Sequence, residues 1–364
     1  MAGIYVHVPF CNAKCSYCDF YSIANHGLLP LFTDAVRSEW QERRHELGDH
    51  VVETVYFGGG TPSVLPPADI ATIASLFPLD AVKEFTIEVN PEGVTPQTAS
   101  AWRAAGVNRV SIGVQSLVDA ELVRVGRRHT ASRALEAIAT LHAAGINNVS
   151  GDLIYGLPGQ TASSWRKSLE GLLGADITHL SAYCLGYEPG TRLYMQRERG
   201  EVTEATDDLI AEMYGILCDT MASAGFGHYE ISNFALPGLR SRHNSSYWSG
   251  NPYLGLGPGA HSLGADGMRR FVASDVRRYI ADPSACLEED PESDTDRVND
   301  RIMVSLRTAA GLDLGAFTAD VRKAIEEGAA TWLRRGVLQR RGDALVVPEE
   351  SWLLCDAVIR DMFV

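Results

Sequence analysis

The sequence has little positive charge and no long apolar run, and each shortage excludes a class of protein. Its 32 Lys and Arg residues are outnumbered by 46 Asp and Glu residues, which gives a formal net charge of −14. Phosphate backbones and anionic membrane surfaces repel such a chain, so we expect no nucleic-acid partner. No uninterrupted apolar stretch approaches the roughly 20 residues that span a bilayer, so we expect no stable membrane insertion.

The first ten residues also lack the features of a secretory signal. They contain no basic start and no small-residue cleavage site, and Pro9 ends their apolar run early. Tandem repeats and low-complexity tracts are missing as well. The sequence therefore predicts a soluble, cytoplasmic protein.

Cysteine is the scarce residue type whose distribution is most informative. There are seven, an odd number, and three of them are crowded together as Cys11, Cys15 and Cys18. This crowding suits a metal or cluster site in a reducing compartment better than it suits disulfides. The other four are scattered in apolar contexts and are predicted to be small buried side chains: Cys184, Cys218, Cys286 and Cys355.

Short β-branched or aromatic runs alternate with segments of helical periodicity through the first half of the chain. The runs predict strands at Ile4–Val8, Thr54–Phe57, Glu84–Val89, Arg109–Val114, Asn148–Ile154 and His179–Cys184. Helices between such strands imply parallel pairing through right-handed crossovers. A half-closed (βα)6 barrel and a doubly wound sheet both fit this order, and either one gathers ligands at the carboxyl ends of the strands.

The repeat of strand and helix ends after a predicted helix near Asp207–Ala224. Residues 226–288 are rich in Gly and aromatic residues and predict short strands, and the polar stretch Glu288–Asp296 is interpreted as a linker. The last segment predicts helices, a hairpin with Gly342 in its turn and a final helix, an order typical of a small winged-helix-like domain. We therefore expect three parts, residues 1–225, 226–290 and 291–364.

The three crowded cysteines have the spacing C-x3-C-x2-C and lie on the loop after the first predicted strand. Three thiolates on one tight loop can ligate three irons of a cubane and leave the fourth iron open. An open iron accepts a chelating cofactor, such as the amino and carboxylate groups of a methionine moiety. Zinc is the alternative, since a distant fourth ligand would complete its site, although the loop contains no His.

Polar and glycine-rich segments follow the other predicted strands. The run Gly58–Pro62 (GGGTP) lets backbone approach a ligand closely, because its glycines have no side chain. Glu88, Gln115, Arg127 and Asp152 lie at or near the ends of successive strands. Each alone would be explained as a capping or ion-paired residue. Together they predict a ring of hydrogen-bonding groups suited to a nucleoside-containing ligand.

The cysteine spacing, with the aromatic Tyr17 before its last cysteine, resembles the signature of the radical S-adenosylmethionine (SAM) superfamily. The resemblance implies a partial (βα)6 TIM-like barrel, a [4Fe–4S] cluster on the three cysteines, and SAM at the open iron. The reduced cluster would pass one electron into the sulfonium of SAM and release a 5′-deoxyadenosyl radical. The implied SAM contacts are Tyr5, Tyr17, Gly59, Gly60, Thr61, Glu88, Gln115, Arg127 and Asp152.

Longer segments narrow the resemblance. Tyr5–Cys11, Phe57–Pro62, Asp152–Ile154 and the segments around Gln115 and Arg127 look like those of oxygen-independent coproporphyrinogen III oxidase and its relatives. The similarity extends through essentially the whole chain. In that oxidase, two propionates of coproporphyrinogen III are oxidatively decarboxylated to vinyl groups, and two SAM molecules are bound.

Three departures from the oxidase are similar to the HemW-type heme chaperones of the same family. Phe20 stands where the oxidase has a fourth cysteine, Cys11 lies close to the start of the chain, and residues 243–248 (HNSSYW) match the chaperones' H-N-x-x-Y-W motif. The resemblance implies that heme is cargo delivered to hemoproteins. It marks His243, Tyr247 and Trp248 as heme contacts, which imidazole ligation and flat aromatic faces make chemically reasonable.

The sequence favours a heme chaperone and leaves other functions open. The alternatives are the oxidase and another radical SAM enzyme of this scaffold, such as a methyltransferase, so enzymatic activity is undecided. A buried, hydrogen-bonded structural role for His243 and a core role for Trp248 are also open. The expected partners are heme or a porphyrin, recipient hemoproteins and an electron donor.

Overall fold

The computed structural model describes residues 1–364 and shows an α/β architecture built on one twelve-stranded sheet. The strands are β1 (Ala2–Val8), β2 (Val52–Gly59), β3 (Glu84–Val89), β4 (Arg109–Gln115), β5 (Asn148–Tyr155), β6 (His179–Cys184), β7 (Gly227–Glu230), β8 (Asn233–Ala235), β9 (Tyr253–Leu256), β10 (His261–Leu263), β11 (Arg269–Val272), β12 (Leu287–Asp290), β13 (Leu312–Asp313), β14 (Gln339–Arg341) and β15 (Ala344–Val346). The helices are α1 (Leu29–Arg43), α2 (Pro67–Ala74), α3 (Pro96–Ala104), α4 (Asp119–Arg124), α5 (Ala131–Ala143), α6 (Ala162–Leu173), α7 (Arg192–Glu198), α8 (Asp207–Ser223), α9 (Arg242–Trp248), α10 (Val276–Ala281), α11 (Asp294–Leu306), α12 (Ala319–Arg334) and α13 (Cys355–Met362).

Strands β1 to β6 form the parallel centre of the sheet and are paired in chain order. Their side chains are buried along most of each strand, as expected where helices cover a parallel sheet. Helix α5 shows how a covering helix is made, because Ala134, Ala137, Ile138 and Leu141 give it one buried stripe at helical spacing. The alternation predicted from the sequence is confirmed for all six strands.

The large sheet is curved and open. Tyr5 of β1 and Tyr183 of β6 line the same cavity, although four strands separate β1 from β6 in the sheet. The parallel strands therefore curl into a partial barrel with their outer members facing one another. No helix in the molecule combines the length and the apolarity that a bilayer crossing requires.

The segment after α8 adds strands to both edges of the parallel centre. Strands β8 and β7 continue the sheet beyond β6, while β9 pairs in parallel with β1 and is followed by β10, β11 and β12. The interpretation of Glu288–Asp296 as a linker is wrong, because β12 pairs with β11 there and α11 begins at Asp294. Charged side chains are tolerated on an exposed edge strand and discourage pairing with other chains, so the polar composition concealed the strand.

The C-terminal segment combines α11, α12 and α13 with a three-stranded antiparallel sheet in the order β13–β15–β14. The predicted hairpin is confirmed as β14 and β15, and Gly342 adopts a positive φ of 63° in its turn. Helix α13 buries Cys355, Val358, Ile359 and Met362. The division into residues 1–225, 226–290 and 291–364 stays a prediction.

A buried ionic network joins α1 to the added strands. Arg43, the last residue of α1, pairs with Glu39 in the same helix and with Glu46 just after it. It also donates to the carbonyl oxygen of Gly255 at 3.0 Å and to Ser262 Oγ at 2.9 Å. Glu39 in turn accepts the Gly257 backbone N–H at 2.8 Å and the Tyr279 hydroxyl at 2.7 Å. Because both charged groups are nearly inaccessible to water, each one depends on the other for compensation.

We expect Arg43→Met to lower the free energy of unfolding by about 3–5 kcal/mol, because it leaves the buried Glu39 charge without its partner. Equilibrium urea unfolding followed by circular dichroism measures the change. Arg37→Met is the matched control, since Arg37 pairs with Asp34 at the surface and its loss should cost about 0–1 kcal/mol. Equal unfolding curves for the two variants would contradict a stabilising role for the buried network.

Candidate functional site

The three clustered cysteines lie on a loop that neighbouring segments hold in place. The Cys11 N–H donates to the Ile23 carbonyl oxygen at 3.0 Å, which closes the base of the loop beside β1. Farther along, both the N–H and the hydroxyl of Ser16 donate to the Val125 carbonyl oxygen, at 3.2 and 3.0 Å. The Ser16 carbonyl oxygen accepts the Leu193 N–H at 2.7 Å. The backbone of the loop is therefore held by hydrogen bonds from three other segments of the chain.

All three thiols on this loop are free, and each faces a different group. Cys11 Sγ lies 3.4 Å from Thr61 Oγ1, and Cys15 Sγ lies 3.4 Å from Arg127 Nη1. Cys18 lines the adjoining cavity. The thiolate is the form of cysteine that ligates iron. Three thiols on one fixed loop, with a cavity open at the third, fit a cubane that presents one iron to a ligand.

The cavity beside Cys18 has a volume of about 480 Å³ and lies at the carboxyl ends of the strands. Eight of the nine residues that the sequence marked as SAM contacts line it: Tyr17, Gly59, Gly60, Thr61, Glu88, Gln115, Arg127 and Asp152. We call it the small cavity. Tyr5 is not part of its wall, because Tyr5 sits mid-strand and faces a second cavity described below.

Two of the glycines in this wall, Gly59 and Gly60, occupy positions that no other residue can fill. Gly59 has a φ of 99°, and a Cβ there would lie 2.6 Å from the His7 ring. A Cβ on Gly60 would lie 2.7 Å from the backbone oxygens of Val8 and Phe10. The second strand can therefore run against the start of the cysteine loop only if both positions lack a side chain.

Two buried carboxyl groups face the small cavity. Glu88 accepts the Tyr56 hydroxyl at 2.7 Å and the Gly59 N–H at 3.2 Å, and burial raises its pKa to about 7. Asp152 accepts the Ser111 hydroxyl at 2.9 Å, and burial raises its pKa to about 6. These two groups have lone pairs available for the hydroxyl or ammonium groups of a nucleoside-containing ligand.

Arg127 joins the cysteine loop to the strand ends. Its Nη2 donates to Asn90 Oδ1 at 2.7 Å and to the Gly113 carbonyl oxygen, while Asn90 Nδ2 donates to Thr61 Oγ1 at 3.1 Å. Asn90 and Ser111 also line the small cavity, and neither is among the site residues predicted from the sequence. Both could have been found from the sequence, because Asn90 directly follows β3 and Ser111 is a polar residue within β4.

A second cavity of about 1140 Å³ adjoins the first, and we call it the large cavity. Both cavities include Glu88, Tyr183 and Cys184 in their walls. The aromatic residues that line the large cavity are Tyr5, Tyr56, Tyr155, Tyr183, Tyr214, Tyr247, Trp248 and Trp352. Its volume lies above the range of about 300–1,000 Å³ that is usual for small-molecule sites.

Helix α9 carries the HNSSYW motif and closes the amino-terminal end of the parallel strands. Its first two N–H groups, on Arg242 and His243, donate to the Glu84 carboxylate at 2.8 and 2.9 Å. Because Glu84 is the first residue of β3, this cap holds the start of α9 at the amino-terminal end of that strand. His243, Tyr247 and Trp248 all face the large cavity, at the end remote from the cysteine loop.

His243 is buried and hydrogen-bonded at both ring nitrogens. Nδ1 lies 2.8 Å from Thr54 Oγ1, and Nε2 lies 2.8 Å from the Tyr247 hydroxyl. The ring stacks on Tyr56 with a centroid separation of 5.0 Å. Burial lowers the pKa of His243 to about 3, so its imidazole is neutral near pH 7. The nearby Trp248 Nε1 is buried and has no hydrogen-bond partner.

The four remaining cysteines divide into two groups. Cys286 and Cys355 are buried, as predicted. The prediction is wrong for Cys184, which is exposed at the end of β6 in the walls of both cavities, and Cys218 is only partly buried.

Comparisons with known proteins agree with this geometry. The model of the Radical SAM superfamily matches residues 5–172. The heme chaperone HemW of Mycobacterium tuberculosis is 36% identical over 375 residues, covering 99% of this chain and 94% of the relative. The heme chaperone HemW of Bacillus subtilis is 32% identical over 337 residues, covering 90% and 88%.

Solved structures show the same fold. Coproporphyrinogen III oxidase (HemN) from Escherichia coli superposes with a TM-score of 0.85, covering 100% of this chain and 90% of that one, at 20% sequence identity. This likeness establishes the architecture, whereas the chain-length identity to the heme chaperones establishes the family. The chain belongs to the radical SAM superfamily and, within it, to the HemW family.

Proposed function

We propose that the protein is a radical SAM heme chaperone that holds heme in the large cavity and delivers it to hemoproteins. The observation that carries this proposal is the shared wall of the two cavities, formed by Glu88, Tyr183 and Cys184. The predicted SAM contacts lie on one side of that wall, and the HNSSYW side chains lie on the other. A ligand in one cavity can therefore change the shape or charge of the other.

Cys11, Cys15 and Cys18 would hold the [4Fe–4S] cluster, and the small cavity would hold SAM. When bound, the cluster supplies one electron to the sulfonium of SAM. Arg127 neutralises thiolate charge at Cys15 and orients Asn90. The glycines leave backbone exposed to the ligand, and Glu88 and Asp152 provide acceptors whose charge depends on pH near neutrality.

The large cavity fits heme in volume and chemistry. Its aromatic walls match the faces of a porphyrin, and the unpartnered Trp248 Nε1–H is a donor for a propionate. His243 is neutral, as iron ligation requires. Nε2 would be the ligating nitrogen once the Tyr247 hydroxyl moves aside. The Thr54 hydroxyl oxygen can then accept a hydrogen bond from Nδ1–H, which fixes the tautomer that leaves Nε2 unprotonated.

The partners follow from this assignment. A separate electron donor must reduce the cluster, and the recipients are hemoproteins. The net charge of −14 favours protein partners over a nucleic acid or an anionic membrane surface.

We expect Cys15→Ser to abolish the [4Fe–4S] cluster after anaerobic reconstitution, because the cluster loses one of its three protein ligands. Iron and sulfide content and electron paramagnetic resonance measure the loss. Cys184→Ser is the control, since it makes the same exchange in the wall of the small cavity and should leave the cluster intact. An intact cluster spectrum in Cys15→Ser would refute the ligand assignment.

We expect His243→Ala to weaken heme binding at least tenfold, which is about 1.4 kcal/mol, while Tyr247→Phe keeps or strengthens it. The phenylalanine ring retains the aromatic wall and removes the hydroxyl that occupies Nε2. Heme titration gives the affinity, and the ferric heme resonance spectrum reports axial ligation.

His142→Ala is the control for this pair, because His142 lies on α5, lines neither cavity and has one side-chain hydrogen bond, to the Ala175 carbonyl oxygen. Thermal unfolding confirms that each variant is folded. Equal heme affinity and an unchanged ferric spectrum in His243→Ala would leave His243 with the structural role that its two hydrogen bonds also explain.

We expect no protoporphyrinogen IX when the reconstituted protein is incubated anaerobically with SAM, a reductant and coproporphyrinogen III. Phe20, which lines the small cavity, replaces the oxidase family's fourth cysteine. The Escherichia coli oxidase serves as the positive control. Product formation at a comparable rate would assign the oxidase activity instead.

A further inference from the structure

Three metal-binding side chains meet outside both cavities, where the C-terminal segment packs on the sheet. They are Cys218 on α8, His228 on β7 and Glu349, which begins the 3-10 helix Glu349–Leu354. One sulfur, one nitrogen and one carboxylate oxygen from these residues all lie within 4.8 Å of one another. Their segments are far apart in sequence, so the fold itself brings the three donors together.

The His228 ring is held in one orientation. It stacks on Phe234 with centroids 3.8 Å apart and meets Trp352 edge-on at 4.1 Å. Nε2 lies 3.4 Å from the Ile231 carbonyl oxygen, and Nδ1 lies 2.7 Å from Glu349 Oε1. A carbonyl oxygen only accepts, so in the tautomer with hydrogen on Nε2 the Nδ1 lone pair faces Glu349. Two acceptors this close need a proton or a metal cation between them.

No lysine or arginine side chain neutralises the acidic groups around the donors. The charged groups that act on the Cys218 thiol are the carboxylates of Glu349 and Asp219. Glu349 has His228 as its ion-pair partner and contacts no Lys or Arg. The cluster therefore combines acidic groups with a single imidazole and has no fixed positive charge.

The donor set selects the kind of ion. A thiolate and an imidazole are typical zinc ligands, whereas magnesium and calcium take oxygen ligands almost exclusively. A carboxylate oxygen is a common third zinc ligand, and water can complete the tetrahedron. The contact from His228 Nε2 to a backbone carbonyl is the outer contact that usually orients a zinc-bound imidazole.

We propose that Cys218, His228 and Glu349 bind one zinc ion, which fastens the C-terminal segment to the edge of the sheet. None of these three residues belongs to the cysteine loop or lines either cavity, and the proposal does not depend on heme or SAM binding. The competing explanation is a plain ion pair between His228 and Glu349. Such a pair would add little stability, because the Glu349 side chain is 45% exposed.

The test uses the full chain with its iron–sulfur cluster reconstituted and without a metal-binding tag, so that the loop cysteines are occupied. After removal of loosely bound metal, Zn²⁺ alone is added. We expect one zinc per chain, with one sulfur at about 2.3 Å and nitrogen or oxygen ligands at about 2.0–2.1 Å in zinc X-ray absorption. Zinc should also raise the thermal midpoint by mass action.

Cys218→Ala is expected to remove the sulfur signal, and Glu349→Gln is expected to weaken zinc binding at least tenfold and remove the thermal shift. Glu350→Gln, at the neighbouring exposed carboxylate that is not one of the three donors, should change neither readout. Should Cys218→Ala fail to fold, Glu349→Gln decides alone, because its carboxylate is partly exposed. Zinc binding that is undetectable at micromolar concentration, or unchanged by Glu349→Gln, overturns the proposal.

Discussion

The partly buried guanidinium of Arg127 makes the contacts on which the proposed cluster site depends. It contacts the thiol of Cys15, the side chain of Asn90 and the carbonyl oxygen of Gly113 at once. Three thiolates placed close together repel one another, and this fixed positive charge offsets part of that repulsion. The same contacts set the distance between the cysteine loop and the ends of β3 and β4. Arg127 therefore both compensates the thiolate charge and positions the loop.

The sequence correctly predicted which candidate site residues lie at the ends of strands. It did not predict which cavity a residue in the middle of a strand would face. Residues at strand ends, such as Glu88, Gln115 and Asp152, gather in one cavity because parallel strands end at one edge. Tyr5 was assigned to the same ligand, yet its side chain lies mid-strand in the large cavity. Composition also failed at β12, where acidic side chains occupy an exposed edge strand.

The motif on α9 shows a different limit of sequence reasoning. The pattern identified His243, Tyr247 and Trp248 as one group, and the structure places all three on the large cavity. The sequence pattern could not reveal that Thr54 and Tyr247 are hydrogen-bonded to the two imidazole nitrogens of His243, because Thr54 lies on a strand far away in the chain. The identity of a candidate ligand can be read from a motif, whereas its availability depends on tertiary contacts.

The open side of the curved sheet has a consequence for release of a flat, apolar cargo. Tyr183, Leu353 and Leu354 line the large cavity and are also 43–47% exposed, so the cavity continues into an apolar rim at the surface. A porphyrin that moves along this rim would exchange apolar contacts in the cavity for apolar contacts at the surface. Transfer of the porphyrin, edge first, to a docked acceptor would then require neither a hinge motion of the chaperone nor release of the porphyrin into water, where heme aggregates.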